Sequence, residues 1–153
     1  MSETSEVNEL GQSSTSHKVE HREYRIATPG ILGGVEFNLT LSIHPKTGAV
    51  SGFGEVSHPS IHLDKPHFTK LSGDATPLCV MGESECNNLI VATGYPVIPG
   101  AWNPRFGPGP VLLPNVELRL LVNSKYDGIV ATYTYYTEDH TPVQMENIPV
   151  QTI

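Results

Sequence analysis

Val35, Phe37, Leu39, Leu41 and Ile43 alternate with Glu36, Asn38, Thr40, Ser42 and His44 without a fault. Successive side chains of a strand point to opposite faces, so this run predicts a long strand with one dry and one wet face. Pro45-Lys46-Thr47-Gly48 has turn chemistry, a fixed φ followed by a glycine able to take positive φ. Beyond it, Val50, Gly52, Gly54 and Val56 fall on one face and Ser51, Phe53 and Glu55 on the other. The pattern is that of an antiparallel hairpin.

The same reading extends along the chain. His21 to Thr28 predicts a first strand, closed by Pro29-Gly30. His58 to Pro66 reads as a polar connection. Phe68 to Ser72 and Leu78 to Met81 predict two short strands separated by Gly73-Asp74-Ala75-Thr76-Pro77, and Leu89 to Thr93 predicts an apolar strand ended by Gly94. Val116, Leu118, Leu120 and Val122 share a face, and Ser124 to Gly128 turns the chain back, with Asp127-Gly128 as the hairpin signal. Ile129 to Thr137 is rich in β-branched and aromatic residues, as strands prefer. Thr141 to Ile153, with Pro142 and Pro149, suits an edge strand or two short ones. No helix and no internal repeat is predicted. About eight to ten strands joined by hairpins make an all-β antiparallel fold, an up-and-down barrel or a two-sheet sandwich. Gly52 and Gly54 on the inner face favour the barrel, because strongly coiled strands need such kinks.

At 153 residues one domain is expected. Residues 1–17, rich in Ser, Thr, Glu and Asn, are expected to form a flexible tail, and 18–153 the single domain. The net charge of −7 and nine scattered basic residues argue against nucleic acid and against an anionic membrane surface. The N-terminal residues have neither a basic n-region nor an apolar h-region, and no run has the length of a membrane helix. A cytoplasmic protein is therefore expected, with Cys79 and Cys86 as thiols. The two cysteines flank Gly82-Glu83-Ser84-Glu85, so a bridge across a hairpin stays open.

The most unusual stretch is Tyr95 to Pro114, with six prolines, three glycines and the only tryptophan of the chain. Prolines stiffen such a loop, so Tyr95, Trp102, Arg105 and Phe106 are the candidate binding residues, presented in a fixed arrangement. Three readings are open for it: a plug across one barrel end, a subunit contact, or a ligand contact. His58, His62 and His67 would stand about 13 Å apart at each four-residue step of an extended chain, too far for one ion, and no metal is expected. There is no nucleophile elbow, no phosphate loop and no dinucleotide fingerprint, so neither catalytic residues nor a cofactor are assigned. Glu36, Glu55 and Glu117 lie on the polar face of their strands. Tyr133 and Tyr135 share a face with Ile129 and Ala131, which makes them core rather than a stacking platform.

Thr28-Pro29-Gly30, the V-S-G-F-G-E-V-S strand from Val50 to Ser57, Thr93-Gly94-Tyr95-Pro96 and G-P-V-L-L-P-N-V-E-L-R from Gly109 to Arg119 span most of the domain. In these stretches the chain resembles a small bacterial family catalogued only as a domain of unknown function. The resemblance implies a single β domain and no activity.

These readings lead to a non-enzymatic β domain that works through a protein partner or by forming a homo-oligomer. The alternative is a small-molecule carrier with a cavity under the 95–114 loop, lined by residues among Phe37, Leu39, Leu41, Leu118, Leu120 and Tyr133. A barrel isomerase or cyclase is the third reading, and it requires an inward polar group.

Overall fold

The computed structural model describes residues 18–30, 34–58, 67–97, 113–137 and 139–153. They form eight strands: β1 (Glu20–Ala27), β2 (Glu36–Ile43), β3 (Ala49–Ser57), β4 (His67–Leu78), β5 (Asn87–Pro96), β6 (Val116–Val122), β7 (Gly128–Tyr136) and β8 (Pro142–Thr152). Each pairs antiparallel with the next in sequence, and β8 returns to β1, closing the sheet into an up-and-down barrel. Closure excludes the sandwich. The expected tail, residues 1–17, lies outside the described residues.

The inward positions are the apolar halves of the alternations read above. Phe37, Leu39, Leu41 and Ile43 of β2 meet Val50 and Val56 of β3, Leu71 of β4, Ile90 of β5 and Leu118 and Leu120 of β6 in one core. The outward positions carry Arg25, Glu55, Lys70, Glu117 and Arg119. Apolar inside and charged outside is the reverse of a lipid-embedded barrel. Among the described residues no helix is long and apolar enough to cross a membrane.

Three local readings are corrected. Residues 73–77 do not separate two strands: β4 runs unbroken through them, and Gly73 pairs with both Val50 and Ala92. Pro77 is tolerated because β3 has already ended at Ala49, opposite Asp74, so this part of β4 is paired only to β5. The turn before β7 is set by Asn123, whose side-chain oxygen accepts the backbone N–H groups of Lys125 and Asp127, while Tyr126 takes the positive φ of 65°. Gly128 instead opens β7 where the Val150 side chain leaves no room for a Cβ. Finally, Ile129 does not share the inner face with Ala131 and Tyr133. A bulge pairs Val122 with Gly128 and Leu121 with Val130, which leaves Ile129 outside.

The cysteines are also corrected. Cys79 and Cys86 are not thiols; they form a disulfide with Cα atoms 4.4 Å apart, clamping the turn between β4 and β5. The Gly82 turn brings the two strand ends face to face, and their last register pair is Leu78 with Asn87. The bridge extends the ladder by one covalent rung.

Candidate functional site

β1, β3, β5 and β7 finish at one end of the barrel, here the loop end, where the connection between β5 and β6 leaves the sheet. Of the four candidate binding residues, Trp102, Arg105 and Phe106 lie outside the described residues. Tyr95 is on β5, and its side chain points outward, paired in register with Lys70. The two ends of the 95–114 segment are tied together by Asn115. Its N–H donates to the Gly94 carbonyl at 2.9 Å, and its side-chain amide donates to the Phe68 carbonyl at 3.0 Å. Its Oδ1 accepts from the Thr69 hydroxyl at 2.7 Å. Thr69, the one buried polar residue among the described residues, is thereby satisfied.

Tyr95 belongs to an aromatic face that the alternation placed among polar positions. Phe53 of β3 pairs with Lys70 of β4, which pairs with Tyr95 of β5, and Glu55 pairs with Phe68 one step along. All of these point out of the barrel. Phe53 is 59% exposed and Phe68 53%, high for aromatic rings on a rigid sheet. With Thr40 and Ile153 they line a shallow groove of about 250 Å³ across β1 to β4. Neither Glu55 nor Lys70 makes an ion pair among the described residues.

The interior is packed. Phe37, Leu39, Leu41, Leu118, Leu120 and Tyr133, the expected lining of an internal volume, are at most 3% exposed and pack together as core side chains. The inward glycines contribute to this packing: a Cβ on Gly54 would strike the Phe37 ring, and one on Gly94 would strike the Thr69 hydroxyl. The barrel is nonetheless not wholly apolar inside. Tyr133 reaches from β7 to Phe37 on β2, with ring centroids 5.1 Å apart edge to face, and Tyr135 follows at 6.4 Å. His67 stands 6.4 Å beyond Tyr135. The Tyr133 hydroxyl is buried with no hydrogen-bond partner among the described residues. Burial holds this phenol in its protonated form, with smaller contributions from Tyr135 and the Glu36 carboxylate. The Tyr24 phenol at the other end contrasts with it, donating to the Tyr126 carbonyl at 2.5 Å.

Of the remaining tyrosines and histidines among the described residues, Tyr126 packs against the core, and His21, His44 and His140 are exposed. Tyr136 stacks on His140 at 4.7 Å and donates to Glu117. Among the described residues no three His, Cys, Asp or Glu side chains gather to hold a metal; His62 lies outside them. A 420 Å³ groove over β5 to β8 is polar, with Glu117, Arg119 and Thr132 in its floor, and it too is on the outside of the barrel.

Fold and site together define a closed, eight-stranded up-and-down barrel with a filled interior and an exposed aromatic face. No family model matches the chain, and no curated protein is similar to it.

Proposed function

We propose that this chain is a non-enzymatic assembly module, a packed barrel that pairs with a second copy of itself through the outer face of β3 to β5. The observation that carries the reading is the row of Phe53, Phe68 and Tyr95, aromatic side chains held out to solvent by strands that bury their other face. Exposed aromatic patches of this kind mark contact surfaces. Glu55 and Lys70 lie among these rings. In a two-fold interface residue i meets j and j meets i, so a face carrying both charges next to its aromatics is complementary to itself.

The disulfide bears on where this happens. The cytoplasmic expectation rested on the N-terminal residues and carried free thiols with it; a bridged Cys79–Cys86 fits a compartment that oxidises thiols instead.

Sedimentation velocity over a concentration series tests the pairing. The native chain is expected to sediment as a dimer, and the Phe53→Ser, Phe68→Ser double variant as a monomer with the same circular dichroism. A native chain that stays monomeric throughout the series overturns the proposal.

A further inference from the structure

The Tyr133 hydroxyl has no role in the packing that surrounds it. Its ring lies edge-on to Phe37, yet its oxygen, inside a core residue only 1% exposed, has no hydrogen-bond partner among the described residues. A buried hydroxyl left unpaired is destabilising, and phenylalanine in its place would avoid that cost.

The barrel wall beside it is incompletely laced. β1 and β8 pair only over Tyr24–Ile26 with Val150–Thr152. From Pro142 to Pro149, β8 makes no backbone ladder with β1 among the described residues, because β1 ends at Ala27 and the chain turns at Pro29-Gly30. Tyr133 crosses from β7 to β2 behind these two strands. Its register partner on β8 is Met145, half-buried against the core. A thioether chain with three rotatable bonds moves aside more easily than a branched or aromatic one.

We infer that this gap leads to a binding site for a small, uncharged aromatic molecule carrying a hydrogen-bond acceptor, which the Tyr133 hydroxyl grips once Met145 has swung away. The walls are the rings of Phe37, Tyr133 and Tyr135, with the His67 ring at the rim. A carbonyl or ether oxygen supplies what the hydroxyl lacks. An anionic head group gains nothing here, because among the described residues no lysine or arginine faces inward at this end, and the Glu36 carboxylate that acts on the Tyr133 phenol is itself paired with Arg25 at 2.6 Å. The site shares no residue with the outer face of β3 to β5.

The probe is 6-propionyl-2-dimethylaminonaphthalene, a neutral aromatic ketone whose emission responds to hydrogen bonding at its carbonyl, with 1-anilinonaphthalene-8-sulfonate as the anionic comparison. The native protein is expected to bind the ketone at one saturable site and more tightly than the sulfonate. Tyr133→Phe weakens the ketone about tenfold, the loss of one hydrogen bond, while melting at or above the native temperature. Met145→Ala accelerates association. Absence of saturable ketone binding, or equal affinity in Tyr133→Phe, overturns the site. Tighter binding of the sulfonate overturns the ligand class, and an unchanged association rate in Met145→Ala overturns the route. A ketone signal lost in the Phe53→Ser, Phe68→Ser variant but kept in Tyr133→Phe places the probe on the outer face and likewise overturns the site.

Discussion

Replacing Gly73 by alanine is expected to destabilise the barrel by about 3 kcal/mol or more, among the largest effects of a one-carbon addition. At this position β4 passes so close to β5 that a Cβ would fall on the Val91 carbonyl and 2.6 Å from the Cα of Ala92. Both are backbone atoms in a paired strand, and no rotamer change can clear them. Gly52 is in the same situation one strand back, facing the Thr40 carbonyl and, at 3.0 Å, the Cα of Leu41. Gly54 provides the contrast, because the atom in its way is the Phe37 ring. Gly54→Ala is therefore expected to be relieved in part by Phe37→Leu, whereas no side-chain change rescues Gly73→Ala. Urea unfolding of the single variants and of the 37/54 double-mutant cycle checks this, with a coupling on the order of 1 kcal/mol expected for the pair. A stability for Gly73→Ala within about 1 kcal/mol of the native value contradicts the close approach of the two strands.

Loss of the Cys79–Cys86 bridge is the second large effect. The bridge closes a loop with a sequence separation of seven residues. The chain-entropy model gives about 2.5 kcal/mol for a loop of this size, acting on the unfolded chain. In a domain of this length that corresponds to a melting temperature lower by roughly 5–10 °C. Cys79→Ala with Cys86→Ala, or the native protein in excess dithiol, is expected to show this drop in calorimetry and to keep the barrel's far-ultraviolet dichroism. The strands on either side are held by their own ladder down to the Leu78–Asn87 pair, so the effect stays local to the turn in the folded state. Identical melting with and without dithiol contradicts the bridge's contribution.

The fold was legible because its signal is periodic. The dry and wet faces of β2 and β6 follow from alternation alone, and the inward glycines at 52 and 54 correctly pointed to a coiled, closed sheet. What the periodicity misjudged were the places where a third strand decides. Gly73 and Pro77 read as a loop because local propensity takes no account of β5, which pairs with both. Ile129 read as core because a bulge is a two-strand event with no mark in one strand's sequence.

The candidate site was less legible. Phe53 stood on a polar face beside Ser51 and Glu55, but the alternation alone did not single it out as a contact. Tyr95 was a candidate from the sequence, but as part of the 95–114 loop; that it and Phe68 share a face with Phe53 became legible only once the register was known. The orphan hydroxyl of Tyr133 had no sequence signal at all, since a buried tyrosine normally finds a partner for its hydroxyl.

The order of strands in the barrel follows their order in the chain, with one exception, and that exception governs the kinetics. Seven of the eight pairings join consecutive strands and can zip up from their turns. The eighth joins Tyr24–Ile26 to Val150–Thr152, across more than 120 residues, through only three register pairs. Ring closure thus carries an entropy on the order of 4 kcal/mol against the smallest local reward of any pairing in the molecule. The seam is the last line to form during folding and the first to part during native-state breathing. Amide hydrogens along it exchange ahead of those in β3 to β6, whatever the global stability.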